Sequence, residues 1–117
     1  MDLNNIFSDN EFVNELIKRK NSKRYKIIGK YMEQYELCIS RIKVVSMNGR
    51  TDCFYTIPKI FFGFPEYNYE HCKNFIMDKL RKLYMDVSQY DDNVIFISWY
   101  YIELNREKKK HSLKQNH

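Results

Sequence analysis

At Asn48-Gly49 the hydrophobic pattern of this chain changes period, and that change constrains the fold more than any other feature of the sequence. Before it, Ile28, Tyr31, Tyr35, Cys38, Ile42 and Val45 are spaced three, four, three, four, three, the seam of a helix with one buried face. After it, from Asp52, the period falls to two and a strand runs to Ile57. Asn-Gly suits the junction because glycine enters the left-handed conformation that ends many helices. The chain is therefore α+β, with helices first and a sheet after them.

The remaining elements follow from local signals. Ser8-Asp9-Asn10-Glu11 fits a capping box, with Phe7 and Phe12 as its hydrophobic staple. Phe12, Val13, Leu16 and Ile17 give a short helix to about Lys20 one apolar face. Ser22 is placed to cap a second helix that runs to about Met47. Pro58 ends the first strand, since it cannot donate to a ladder. Residues 59–67 read as an apolar loop, and Asn68 caps a third helix over 69–84. Cys72, Phe75, Ile76, Leu80 and Leu83 form the buried face of that helix, with Lys73, Lys79, Arg81 and Lys82 outside. A second strand over 85–90, a turn at Asp91-Asp92-Asn93 and a third strand over 94–102 complete a split βαβ module. A right-handed crossover leaves room for the third strand between the other two, giving a three-stranded sheet of order 1-3-2. The expected organisation is a helical arm over 1–50, a βαββ module over 51–104 and a basic disordered tail over 105–117.

Composition adds the cellular setting. Phe, Tyr, Met, Ile, Asn and Lys supply half the chain and there is no Ala, as nucleotide bias in an AT-rich genome produces. The net charge of +5 includes Lys in excess of Arg, so part of it belongs to that bias. Cys38, Cys53 and Cys72 form no close pair and point to a reducing compartment. The N-terminus lacks the regions of a signal peptide. The longest apolar run, residues 94–102, is far short of the roughly 20 residues of a membrane span. The expectation is a protein that is not secreted and has no membrane partner.

Several segments together carry a likeness. Tyr55-Thr56-Ile57-Pro58 is followed by Gly63-Phe64-Pro65-Glu66-Tyr67, a helix with Cys72 and Leu80-Arg81-Lys82, and then Asn93-Val94-Ile95-Phe96-Ile97-Ser98-Trp99. The succession resembles a family of small uncharacterised proteins of nucleocytoplasmic large DNA viruses, mimivirus and phycodnavirus relatives among them. In that family a long charged helix precedes a YxxP…GxPxY…helix…NxxxISW module. The likeness covers residues 23–100. It departs where relatives carry Asn-Gly-Phe and this chain has Leu83-Tyr84-Met85, which bears on where the third helix ends. The resemblance implies a viral context, in the host cytoplasm, the viral factory or the virion, and no particular reaction.

The residues themselves offer little enzyme chemistry. His71 is the one histidine inside the expected fold, and it completes the first turn of a capped helix while Cys72 turns toward the core. Asp91 and Asp92 sit in a hairpin turn, where Asp is expected for backbone reasons. No phosphate-binding loop or zinc-ligand pair is present, so no catalytic residue, metal, cofactor or small-molecule substrate is expected. Two other groupings stand out. Lys18, Arg19, Lys20, Lys23, Arg24, Lys26 and Lys30 form a basic run with no acid among them, able to contact phosphates without sequence preference. Phe62, Gly63, Phe64, Pro65 and Tyr67, with Trp99 and Tyr101, are candidates for a protein-facing surface.

The third strand is apolar at both parities, so both sheet faces need cover. That requirement predicts a dimer or a bound protein, with Tyr31, Tyr35 and Trp99 near the contact. The leading expectation is a non-enzymatic interaction or structural protein of a large DNA virus. The alternative is a small non-specific nucleic-acid-binding factor in viral transcription or genome packaging.

Overall fold

The structure, a computed structural model, describes the backbone of residues 3–115 and the side chains of residues 9–112. Helix α1, Leu3–Met47, is one continuous helix of 45 residues, about 67 Å long at 1.5 Å per residue. Sequence reasoning divided it near Ser22, and the structure joins the parts. Residues 18–26 contain no Gly or Pro, so each added residue extends the hydrogen-bond ladder, and an interior Ser is only mildly unfavourable. The capping-box segment likewise lies within the helix, because residues 3–7 are already helical. The side chains of Phe7 and Ser8 lie outside those described.

The stop at Asn48-Gly49 is as expected. Gly49 has φ +84°, its N–H donates to Ser46 O at 3.0 Å, and the Arg50 N–H reaches back to Val45 O at 3.3 Å. This double bond pattern satisfies carbonyls that the helix end leaves free.

Strand β1 (Asp52–Thr56) leads through a loop to helix α2 (Tyr69–Lys82), then to β2 (Asp86–Asp91) and β3 (Val94–Ser98). The sheet order is β1-β3-β2, with both outer strands antiparallel to β3, as the sequence predicts. Asn68 caps α2 through its side-chain oxygen, which accepts from the His71 N–H at 3.1 Å. The end of α2 repeats the stop used by α1. Tyr84 N–H donates to Arg81 O and Met85 N–H to Leu80 O, with Tyr84 at φ +66°. Tyr84 thus occupies the left-handed position that glycine favours, the middle of the segment where the chain departs from its viral likeness.

Helices α1 and α2 both cover one sheet face. Cys53, Ile57, Ile95 and Ile97 meet Cys38 and Ile42 of α1 and Cys72, Ile76, Met77 and Leu80 of α2 in one buried cluster. Polar contacts fix α1 along the edge strand. The Tyr55 hydroxyl donates to Gln34 Oε1 at 2.9 Å, and Arg41 Nε donates to Phe54 O at 2.8 Å. Arg41 thereby occupies a carbonyl that an edge strand would otherwise present to another chain.

One sheet face stays open, and three expectations are corrected. Among the described residues no helix lies over the opposite sheet face; Phe54, Tyr90 and Phe96 shield one another there, with ring centroids 4.9 and 5.1 Å apart. The third strand stops at Ser98, and Trp99–Tyr101 form a turn in which Ile102 N–H donates to Trp99 O. The basic tail, expected to be disordered, is helix α3, Ile102–Gln115. Leu, Glu, Arg and Lys are all good helix formers, and Asn105 anchors the helix by donating to Tyr84 O at 3.0 Å. On α2, Lys73 is buried and Leu83 is exposed, the reverse of the amphipathic reading. Lys73 Nζ reaches Asp92 O at 2.9 Å and Glu70 Oε2 at 3.0 Å, so its stem packs inside while its charge is matched.

All three cysteines are free and buried. Burial pushes the Cys38 thiol and the Tyr55 hydroxyl each up to about 12, from ordinary values of 9.0 and 10.0. The native state therefore holds these protons more tightly than the unfolded chain does. Their contribution to stability is complete below pH 9 and is lost as pH rises toward about 12. An alkaline melt should show that loss. Thiol titration at pH 8 should be slow in the native protein and should release three groups on unfolding. Rapid native reaction, or fewer than three thiols after unfolding without reductant, would contradict the buried, unbridged state.

Candidate functional site

The exposure of α1 changes sharply along its length. From Tyr31 to Ile42 it presents Tyr31, Gln34, Cys38 and Ile42 to the core. From residue 9 to residue 26 every side chain is exposed. At 3.6 residues per turn, Phe12, Val13, Leu16 and Ile17 fall within the same arc of about 140° as Ile27, Tyr31, Cys38 and Ile42. The face that seats α1 on its own sheet therefore carries a second apolar patch on the free arm, separated from the first by Lys20, Lys23 and Arg24 on the same arc. There Phe12, Val13, Leu16 and Ile17 are 61%, 50%, 47% and 51% exposed. Sequence reasoning found these four as one apolar face but assigned them to a separate helix.

Between the arm and α2 lies an open cleft of about 1060 Å³. Leu16, Ile27, Ile28, Tyr31 and Phe75 supply its apolar surface. Arg19, Lys20, Lys23 and Arg24 line it from α1, and Glu66, His71 and Asp78 face them. Lys23 pairs with Glu66 at 3.4 Å across this space, and both side chains are largely exposed. Salt and water weaken such a pair, so it marks the cleft without closing it.

The basic run does not act as one set. Arg19 pairs with Glu15 at 3.2 Å. Lys30 pairs with Glu33 at 3.1 Å and lies over the rings of Phe61 and Phe64, at 4.8 and 4.9 Å. It therefore fastens the loop to α1 and is not turned outward to a phosphate. Lys18, Lys20, Arg24 and Lys26 have no ion pair among the described residues.

The aromatic set is divided between interior and surface. Tyr31 and Tyr67, expected at a partner contact, are core residues, with their rings edge to face at 5.7 Å. Tyr67 also donates to Pro58 O at 2.6 Å, and burial raises its pKa. Tyr35 is half-buried with Lys79 over its ring at 5.4 Å. Trp99 packs against the core, and its backbone N–H donates to Thr51 O at 2.9 Å. These four are fixed by packing because the helical seam and the turn after β3 bring them inward. Phe62 projects fully into solvent beside Gly63, whose φ of +83° forms a tight turn closed by Phe64 N–H to Phe61 O. Phe64 is half-buried, Pro65 exposed, and Tyr101 exposed with its ring against Tyr100 at 4.9 Å.

His71 is exposed on α2, while the neighbouring Cys72 is buried in the core. No group of three His, Cys, Asp or Glu close enough to hold a metal occurs among the described residues. No helix among them is long and apolar enough to cross a membrane.

A family model described as a family of unknown function (DUF5759) matches residues 12–81, more than half of the chain. The match begins in the free arm and ends on α2, so it contains every residue that lines the cleft. It includes the 55–58 and 63–67 segments of the viral likeness and leaves 93–99 outside. The chain is also similar to an uncharacterised protein, R447, of Acanthamoeba polyphaga mimivirus. The two are 29% identical over 90 residues, which cover 74% of this chain and 73% of that protein. No solved structure matches the chain.

Proposed function

The chain belongs to DUF5759, a family of unknown function, and from that premise we propose a non-enzymatic interaction protein of a large DNA virus. It acts in the host cytoplasm or viral factory, as a virion component or in an assembly that builds the virion. The sheet and α2 form a small platform, and the arm of α1 with its adjoining cleft is the docking surface. One observation carries this reading: Phe12, Val13, Leu16 and Ile17 form a second, exposed apolar patch on the arc that seats α1 on its own core, beyond the basic positions Lys20, Lys23 and Arg24. An exposed apolar patch bordered by charge is a common mark of a protein-binding site.

The test uses the tagged full chain and the Phe12→Asp/Ile17→Asp variant in infected cells, with purified virions examined for the protein. Both sites are outside the core, so folding stability should change by no more than about 0.5 kcal/mol each. The variant should lose a protein associate, a second copy included, that the native chain retains. Retention of every associate, or capture of none by the native chain, would remove the basis for the reading.

A second reading, a small non-specific nucleic-acid-binding factor, draws on the exposed Lys18, Lys20, Arg24 and Lys26. Binding to mixed-sequence DNA that falls steeply with salt would favour it over the first.

A further inference from the structure

We infer that the occupant of the arm and cleft is the arm of a second copy of this chain, lying antiparallel to the first. The inference rests on the interaction reading above and names its partner. What points to a second copy is the order of charge along the arm. Residues 9–17 hold Asp9, Glu11 and Glu15 and no base, whereas residues 18–26 hold six bases and no acid. A parallel pair of such arms would set like charge against like. An antiparallel pair sets each acidic stretch against the basic stretch of the other, which is the complementarity that fixes orientation in paired helices.

The positions around the helix agree with the order along it. Asp9, Lys20 and Arg24 lie within the arc of the apolar stripe, and Glu15, Arg19 and Lys26 lie together on one flank of it. With the two-fold axis near Leu16 and Ile17, Asp9 falls opposite Arg24 of the partner subunit, and Glu15 falls opposite Arg19 of the partner subunit. Phe12, Val13, Leu16 and Ile17 from both copies then meet at the centre. In this register Leu16 to Arg24 on the α1 side of the cleft face residues 9–17 of the partner subunit, so the cleft is open where the second arm would lie.

Sedimentation of the full chain should show a dimer at micromolar concentration that weakens as salt rises. Asp9→Lys/Glu15→Lys and Arg19→Glu/Arg24→Glu should each weaken self-association by about tenfold or more. Mixing the two variants should restore a one-to-one dimer, a result that a merely structural role for these residues does not produce. Circular dichroism of each variant checks that α1 remains helical. A chain that stays monomeric well above micromolar concentration, or reversed variants that dimerise like the native protein, would overturn the inference. If self-association fails while Phe12→Asp/Ile17→Asp still abolishes capture of a different protein, the interaction reading stands and the second copy is excluded.

Discussion

Replacing Ile97 with alanine is expected to destabilise the protein by about 2–5 kcal/mol, the range for emptying a buried aliphatic site. Ile97 is fully buried in the central strand, opposite Cys53 on β1 and Val87 on β2, beneath both helices. Strands flanked on both sides relax little, so the space left by three carbons persists as a cavity. Phe54→Ala on the other face should cost far less, because that ring is 43% exposed and meets the rings of Tyr90 and Phe96 alone among the described residues. Domains of this size are stable by roughly 5–15 kcal/mol, so Ile95→Ala combined with Ile97→Ala should leave much of the chain unfolded at room temperature. Urea unfolding of the three variants measures the contrast. Equal losses at Phe54 and Ile97 would mean that the sheet has no preferred covered face.

Lys73→Ala should cost about 2–4 kcal/mol, and Lys73→Met clearly less. The ammonium is almost wholly buried and donates to the Asp92 carbonyl in the β2–β3 turn, tying α2 to the hairpin. Alanine removes both the packed stem and the ammonium, whereas methionine keeps the stem and loses the ammonium with its contacts to Asp92 O and Glu70. The partner carboxylate supplies a pH signature. The hydrogen bond from Lys73 holds the exposed Glu70 carboxyl below its usual pKa. The pair therefore stabilises the fold above the unfolded-state pKa of Glu70, and that contribution is lost as pH falls through the folded value. Lys73→Met should flatten this acidic limb. A methionine variant as unstable as the alanine one, or an unchanged acid limb, would show that the contact does not act in this way.

Lys73 also shows what the sequence could not reveal. Its charge argues for solvent, and the carbonyl that matches it belongs to a turn nineteen residues away. The strand order and the cap at Asn68 were legible because they depend on local chemistry and chain-crossing rules. The arm was half legible. Phe12, Val13, Leu16 and Ile17 stand out as a face, yet periodicity does not tell whether another element reaches that face. α2 meets α1 at Tyr31 and Phe75, and only the structure shows that the four lie beyond it and stay exposed. The described part of the 105–117 tail is helical because Leu, Glu, Arg and Lys favour helix, a propensity that its polarity hides.

The continuity of α1 has a kinetic consequence. Starting a helix in water is the unfavourable step, since several residues must be ordered before the first bond forms. The half of α1 seated on the sheet supplies that start, so the arm needs only to extend turns from an existing end. Its helicity is thus borrowed from the core, and amide protection should decline from Ile27 toward the N-terminus with no second cooperative step. A binding partner would then meet an arm already shaped for docking, and would order fewer residues on arrival than it would in capturing a coil.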